Sequence, residues 1–462
     1  MNILQKAKNF FSSQSINKFN QSFYWGSQSY TNDDDPNTSK YIEQGYNINS
    51  DVYSIVNQIS NKVAAIPYSI KEIDNKQANT QRKKLLKAAN NSPTFTQKVK
   101  LLRLEMKALK EDSFDFPLER PNPNQTWDEF WKLSITFLKL TGNVYWYKVS
   151  PKDGMNAGSP KVVYVLPSHL MEIVLKDNAN ILLDEDVVKG YLLTSNGSFM
   201  EFENEDVIHV KYPNPNFGMS GQHLYGQSPL RAAWKNLVSS NKAMDLNINT
   251  LKNGGVFGFI HSKGAAPLSD DQAIAIKSRL KEMNSDTSDL SRIAGSSAEL
   301  GFTRLSLTTD ELKPFDYLKY DQKSLCNVFG WSDTLLNNDD GGKYDKQIQE
   351  SKRVVTNTIV PDLNLLLNPF NKEILQRFKG YDNREIEFDI RELPEMQEDM
   401  TALVQWLSSA NNTGFVTKNE SRVMMGMETI SDKNMDIITV KDDIMTLEDA
   451  ILPPDTGFTL NE

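Results

Sequence analysis

Two long helix-forming segments, one on each side of a short segment of mixed pattern, limit this chain to a few architectures. Ser228 and Pro229 provide a capping hydroxyl and then a proline at the first helical position, where no N–H is needed. Helically spaced apolar residues follow, before Gly254 and Gly255 end the helix: Leu230, Trp234, Leu237, Met244, Ile248 and Leu251. At about 1.5 Å per residue, such a helix is roughly 36 Å long. A single apolar stripe over that length predicts packing against other helices.

The second long helix is predicted from about Asp310 to Phe329, with Pro314 in its first turn and Gly330 at its end. Its apolar residues include Leu318, Leu325 and Val328. Between the two long helices, residues 256–260 and 300–307 have strand patterns, and a short capped helix is predicted between these strands. Two helices that flank a compact insertion predict a helical stalk carrying a small α/β head.

The rest of the chain mixes strands and helices, which predicts an α+β protein of several domains. Short strand patterns separated by turn residues predict an antiparallel sheet: 162–166, 171–175, 190–194 and 207–212. Helices are predicted from Ser50, which would cap the first of them, over 344–370 with an irregularity near Pro361, and beyond Glu395. Residues 12–45 are rich in Ser, Asn, Gln and Asp, which predicts a mobile N-terminal arm.

The segment PNPNQTWDEFW, from Pro121 to Trp131, combines a rigid turn with the start of a helix. Its two prolines fix their own φ angles. Thr126 stands three residues before Glu129, so the hydroxyl and the carboxylate can each cap a backbone amide of the other residue in a capping box. Apolar residues follow at helical spacing: Phe130, Leu133, Phe137 and Leu140. Gly142 offers a left-handed helix end, and the strand-forming run NVYWYKV comes directly after it.

A helical pattern from Thr80 to Lys110 has an excess of positive charge: Arg82, Lys83, Lys84, Lys87, Lys98, Lys100, Arg103, Lys107 and Lys110. One interpretation is a face that binds nucleic acid, and the other is a solvated helix face or a subunit contact. The whole chain has a net charge of −9 and a pI near 5.3. Tight DNA-binding proteins normally have a basic excess that neutralises phosphates. The acidic charge of the chain therefore favours the second interpretation.

Several classes of function find no support in the sequence. No apolar run approaches the roughly 18 residues of a membrane span, so no membrane partner is expected. Cys326 is the only cysteine, and it is expected to be a small buried hydrophobic residue. The sequence contains no Walker motif, GxGxxG, GxSxG or HExxH, and Asp339 and Asp340 lack the glutamate of an EF-hand loop. We therefore expect no catalytic residues, no cofactor and no metal.

Six segments in this order resemble the portal proteins of long-tailed bacteriophages. They are residues 52–67, ERPNPNQTWDEFW with LTGNVYW after it, DVIHV with YGQSPL after it, residues 315–336, FDI at 388–390, and TKNESR at 417–422. No segment is specific by itself, but all six in the right order are. The chain departs from the family pattern in its longer basic segment and in Trp331-Ser332, where many relatives have Val-Pro.

The resemblance implies a multidomain α+β protomer with a wing, a two-helix stem, an α/β clip and a helical crown, twelve copies of which form a ring. The implied boundaries are a flexible N-terminal arm at 1–45, the wing at 46–228 and 346–392, the stem helices at 229–253 and 307–330, the clip at 254–306, the tunnel loop at 331–345, and the crown with a C-terminal tail at 393–462. The stem helices would pack through the apolar residues named above.

The same resemblance implies a function and partners. The ring would assemble in the host cytoplasm and stand at one capsid vertex of the virion, where double-stranded DNA passes through its channel without sequence specificity. The clip would bind the large subunit of the terminase motor and later a head-completion adaptor, while the wing would bind the major capsid protein. Candidate channel-loop residues are Asn337, Asn338, Asp339, Asp340, Gly341, Gly342, Lys343 and Tyr344. An acidic channel would repel phosphates and let DNA slide.

Two other functions stay open from the residues alone. One is a different virion or ring-forming structural protein without a DNA channel. The other is a metal-dependent DNA-processing enzyme whose carboxylates come from distant segments of the chain. Particle size separates the ring-forming proteins from a monomeric enzyme, and a nuclease assay with magnesium or manganese tests for the enzyme.

Overall fold

The computed structural model of the protein describes residues 37–89, 93–154, 157–176, 187–195, 197–216, 221–252, 258–262, 271, 274–276, 278, 300–304, 314–336, 344–396, 400–440 and 445–446. The main helices are α1 (Ser50–Ala64), α2 (Lys76–Ala88), α3 (Phe95–Ala108), α4 (Trp127–Thr141), α5 (Trp234–Lys252), α6 (Pro314–Phe329), α7 (Tyr344–Val354), α8 (Val360–Glu373), α9 (Met400–Asn412) and α10 (Lys418–Met424). The strands are β1 (Tyr68–Ile73), β2 (Leu109–Phe114), β3 (Asn143–Val149), β4 (Val162–Leu166), β5 (Met171–Leu175), β6 (Val188–Ser195), β7 (Ser198–Glu203), β8 (Val207–Lys211), β9 (Gly258–Ser262), β10 (Leu300–Arg304), β11 (Arg384–Phe388), β12 (Thr439–Val440) and β13 (Met445–Thr446).

The chain divides into two compact units. The first unit takes its described residues from Met1–Val56, Lys139–Gly142 and Tyr212–Asp333, and the second takes them from Asn57–Leu138, Asn143–Lys211 and Thr334–Glu462. The first unit therefore contains both long helices, α5 and α6, and the second contains most of the strands. Helices and antiparallel strands together confirm the predicted α+β class.

The second unit contains three antiparallel three-stranded sheets, in the orders β11-β1-β2, β4-β3-β8 and β5-β6-β7. The strands predicted between 162 and 212 are confirmed, but they belong to two sheets instead of one. Strand β7 was not predicted, because Phe202 is its only buried residue and the alternation of buried and exposed positions is missing. Strand β2 was not predicted either, and its first two residues, Leu109 and Lys110, fall in the segment predicted to be a basic helix.

The segment PNPNQTWDEFW forms the entrance to α4 and the centre of an aromatic core in the second unit. Its capping box is confirmed: Thr126 N donates to Glu129 Oε2 at 2.9 Å, and Glu129 N donates to Thr126 Oγ1 at 3.3 Å. Asn122 Nδ2 donates to the Val163 carbonyl at 3.0 Å and thereby fixes the turn on β4. Phe370 of α8 lies within 4.8–6.2 Å, between ring centroids, of five aromatic rings: Phe116, Trp127, Phe130, Trp131 and Trp146.

In the first unit, the long helix begins later than predicted. Ser228 Oγ accepts from Leu230 N at 3.1 Å, which confirms the predicted cap, but Pro229–Arg231 forms a 3₁₀ turn and α5 starts only at Trp234. The same hydroxyl donates to the Leu140 carbonyl at 2.6 Å, so it also joins this turn to the end of α4. Strands β9 and β10 pair antiparallel, as expected for the insertion between the long helices.

Three other expectations need correction, and a fourth is confirmed in a more specific form. Asn49, and not Ser50, caps α1, because Asn49 Oδ1 accepts from Val52 N at 3.1 Å. The basic segment forms two helices, since Pro93 disfavours helical geometry before it and Thr94 starts α3 with its own capping box. Residues 38–46 of the predicted mobile arm are helical, and Tyr41 is buried. The irregularity predicted near Pro361 is a π-turn at Val355–Ile359, directly before α8.

Candidate functional site

The long helices α5 and α6 pack against each other inside the first unit and contain the residues predicted to pack the stem. Leu230, Trp234, Leu237 and Leu325 are buried, and Leu318 and Val328 are half-buried. Part of this burial comes from residues before α1: the Tyr41 ring meets Trp234 edge to face at 5.5 Å. A Cβ on Gly45 would stand only 3.4 Å from Leu230 Cδ1.

Polar contacts join α5 to α6 and to the segment before α1. Asn236 Nδ2 donates to Asp321 Oδ1 at 2.8 Å, and Asp321 is 4% exposed. Asn241, which interrupts the apolar stripe of α5, donates from Nδ2 to the Gln44 carbonyl at 3.0 Å and accepts from Asn49 Nδ2 at 2.9 Å. The interruption in the stripe is therefore a polar contact with the segment that precedes α1.

The second half of α5 has exposed apolar side chains in the single chain. Met244 and Ile248, both predicted to pack the stem, are 44% and 48% exposed, and Leu246 is 44% exposed. On α6, Tyr320 is 68% exposed. The predicted packing residues thus fall into two groups: those near the start of α5 lie in the core of the first unit, while Met244 and Ile248 are open to solvent. The side chain of Leu251 lies outside the described residues.

The candidate channel loop falls almost entirely outside the described residues. Asn337, Asn338, Asp339, Asp340, Gly341, Gly342 and Lys343 are not described, and Tyr344 is the first residue of α7. The described segments on either side are a 3₁₀ turn at Asp333–Leu335 and α7 itself. The assignment of this loop to the channel stays a prediction.

The basic segment uses some of its cations to fold the second unit. Arg82, whose side chain is 5% exposed, pairs with Glu387 on β11 and lies 3.7 Å from Glu105 on α3. Lys83 pairs with Glu385 on the same strand. These ion pairs fasten α2 to the sheet, and sequence reasoning missed them because their acidic partners lie about 300 residues away. The capping-box pattern of Thr94 and Gln97 is a local signal that a separate helix, α3, begins within the basic segment.

Arg103 forms a second fastening, between α3 and the C-terminal helices. Its Nε and Nη2 atoms lie 2.7 and 3.0 Å from the two carboxylate oxygens of Glu420 on α10. The Phe95 and Trp406 rings stack nearby at 5.1 Å, and Val99 packs in one cluster with Ala410 and Val416. Helix α3 is therefore held by both a charged and an apolar contact.

Two titratable side chains, the buried Cys326 and the half-buried His209, have pKa values far from the neutral range that acid–base catalysis uses. Burial raises the pKa of Cys326 to about 12, and the thiol is fully buried, as predicted. Burial, with a smaller effect of Lys211, lowers the pKa of His209 to about 3. His209 stacks on Tyr145 at 4.3 Å, and its Nε2 lies 2.9 Å from Asn143 Oδ1.

The described ranges contain neither a candidate metal site nor a candidate membrane span. No three His, Cys, Asp or Glu side chains there come close enough to hold a metal ion. None of the described helices combines the length and apolar character needed to cross a bilayer.

Comparisons with known proteins agree with the resemblance seen in the sequence. The family model described as "Phage portal protein" matches residues 50–426. The portal protein of Escherichia phage T5 is 24% identical over 329 residues, which covers 70% of this chain and 72% of the T5 protein.

Two solved structures resemble this chain. A chain in the neck of an empty gene transfer agent particle, computed with C6 symmetry, has 19% identity and a TM-score of 0.54, with 88% of this chain and 98% of that chain covered. A chain in the neck of the native particle, computed with C12 symmetry, has 19% identity and a TM-score of 0.53, with 85% and 94% covered. These scores show a shared fold.

Proposed function

The chain belongs to the phage portal protein family, and from this premise we infer that twelve copies close into a ring whose channel carries double-stranded DNA. A portal protein is a structural protein of the virion, and its ring stands at a capsid vertex. The number of copies and the passage of DNA are our proposals for this chain. The observation that carries them is the family match over residues 50–426, supported by a shared fold with a neck chain computed with C12 symmetry.

The exposed apolar side chains of the first unit fit a ring assembly. Met244, Leu246 and Ile248 on α5 and Tyr320 on α6 leave apolar side-chain surface partly in water in an isolated chain. A neighbouring copy that packs along these helices would cover this surface. Head-to-tail contacts of this kind close into a ring when the rotation between copies divides a full circle.

We propose the following parts for the protomer in the ring. The stem consists of 229–253 and 307–330, and the clip is the insertion at 254–306. The wing comprises 46–228 and 346–392, the tunnel loop is 331–345, and the crown is 393–462. Within this assignment, α5 and α6 belong to the stem helices, and the paired strands β9 and β10 belong to the clip.

The proposed partners follow from these parts. The clip binds the large terminase subunit during packaging and a head-completion adaptor afterwards, and the wing binds the major capsid protein. Assembly takes place in the host cytoplasm. Hydrolysis of ATP belongs to the terminase motor, which agrees with the structural character of the portal family and with a sequence that has no Walker motif.

An acidic ring suits a channel that must not retain its DNA. Each copy contributes a net charge of −9. Every lysine–phosphate contact releases counterions and must be broken again before the DNA advances, so many such contacts in the channel would slow translocation. In the candidate loop, Asp339 and Asp340 oppose adhesion, while Lys343 supplies a single cation.

Deleting residues 338–342 is expected to lower the DNA content of virions without preventing ring formation, because the deletion shortens the proposed channel loop and leaves α6 and α7 intact. The DNA content of purified particles and the mass of the purified ring provide the two measurements. A control that changes Asp339→Asn and Asp340→Asn keeps the loop length and tests the charge alone. Normal DNA content in the deletion variant would refute the assignment of this loop to the channel.

A further inference from the structure

The cations of α2 and α3, apart from the half-buried Lys98, separate into two groups. Arg82, Lys83 and Arg103 are paired with carboxylates and fasten the two helices to β11 and α10. The second group is exposed and forms no ion pair with any side chain in the described part of the protein: Lys76, Lys84, Lys87, Lys100 and Lys107. We name this second group the lysine face.

Helical geometry groups the members of the lysine face that belong to the same helix. On α2, Lys84 and Lys87 are three residues apart, and Lys76 lies three turns before Lys87. On α3, Lys100 and Lys107 are seven residues apart, which is about two turns. Since α2 and α3 pack against each other and are fixed by the paired cations, the lysines project from a rigid support.

The positive charge extends beyond these two helices. Burial, and then the nearby ammonium of Lys352 on α7, lower the pKa of Lys98 on α3. A like charge beside a lysine disfavours its charged form, so the two ammonium groups lie close enough to repel each other. In a chain with a net charge of −9, α2 and α3 are locally basic, since their sequences contain nine lysines and arginines and one acidic residue, Glu105.

The composition of the lysine face suits phosphate better than protein. Cores of protein–protein interfaces are rich in aromatic residues and arginine and poor in lysine. On α2 and α3, Met106 is the only large apolar side chain that is strongly exposed among the described residues. Lysine is a compact charge on a flexible stem and binds phosphate oxygens without requiring a fixed geometry.

We propose that the lysine face binds the phosphate backbone of double-stranded DNA, without sequence specificity and outside the channel. The inference rests on the proposed function in one respect, since the portal role brings DNA to the protein. It goes beyond that role because it gives the ring a second DNA contact, built from cations that folding does not use.

The test measures binding of purified rings to covalently closed circular DNA, which cannot thread a ring that is already closed. The variant changes Lys84→Gln, Lys87→Gln, Lys100→Gln and Lys107→Gln. The control changes four exposed lysines elsewhere to the same residue, so the total charge matches: Lys161→Gln, Lys379→Gln, Lys418→Gln and Lys433→Gln. Binding is measured over a series of salt concentrations.

Each lost phosphate contact reduces the slope of log K against log salt by about 0.9. Loss of four contacts therefore predicts a slope lower by about 3.6 in the variant for each copy that meets the DNA, an unchanged slope in the control, and unchanged ring mass in both. Equal binding by wild type, variant and control would overturn the proposal. Variant rings that dissociate while DNA binding per chain persists would overturn it too, and would assign the lysine face to a neighbouring copy.

The test also separates this proposal from the proposed function. Rings that package linear DNA but do not bind circular DNA would refute the lysine face and leave the channel role standing. Rings that bind circular DNA through the lysine face but package none would support the inference and contradict the channel role.

Discussion

Changing Gly142 to alanine is expected to lower the free energy of unfolding of the first unit by at least about 4 kcal/mol. Single substitutions rarely cause a loss of this size unless they create a severe steric conflict. Gly142 has φ +76°, and a Cβ there would stand 2.5 Å from the Gln227 carbonyl carbon and 2.8 Å from Ser228 N. These are backbone atoms and cannot rotate away. The backbone would have to move, and this movement would strain two hydrogen bonds, from Ser228 Oγ to the Leu140 carbonyl and from Tyr212 N to the Gly142 carbonyl.

Gly380→Ala is the matched control, because Gly380 also has positive φ, at +85°, yet has no atom within 4 Å of its hypothetical Cβ. The control therefore suffers only the left-handed backbone penalty of roughly 1–2 kcal/mol. Urea unfolding curves of the two variants and of wild type measure the difference. If both variants unfold at the same urea concentration, the close approach at Gly142 does not constrain the fold.

Changing Phe370 to alanine is expected to destabilise the second unit by about 3–5 kcal/mol. The ring is fully buried and contacts five aromatic rings, three of which belong to tryptophans. Truncation loses the apolar burial, leaves a cavity and removes edge-to-face contacts worth about 0.5–1.5 kcal/mol per pair. Tryptophan fluorescence during urea unfolding reports directly on this cluster.

Phe415→Ala makes the identical chemical change at an exposed position in the same unit. Phe415 is 71% exposed, so its truncation should alter the free energy of unfolding by no more than about 0.5 kcal/mol. Equal losses in the two variants would contradict the assignment of Phe370 to the centre of the core.

The local features of this fold could be predicted from the sequence because their partners are close in the chain. The capping box of Thr126 and Glu129 and the left-handed end at Gly142 each depend on a few neighbouring residues, and both are confirmed. The cap at Ser228 was also correct, but its second bond, to Leu140, comes from 88 residues away. That contact accompanies the 3₁₀ turn that delays the start of α5.

The errors arose where distant contacts decide the structure. The basic segment was assigned to one helix, since its charges dominate the pattern, although Pro93 and Thr94 mark a break within it. Its division into paired and exposed cations depends on Glu385, Glu387 and Glu420, which no local pattern connects to it. Likewise, the helical stripe of α5 could not show that Leu237 is buried while Ile248 is exposed.

The mass and symmetry of the purified particle, obtained by native mass spectrometry and electron microscopy, test the central claim most directly. The portal assignment predicts a hollow ring of twelve copies, each of 52.5 kDa, with the surfaces around Met244 and Tyr320 covered by neighbours. A particle that stays monomeric or dimeric under every condition, including coexpression with the other capsid components, would contradict it.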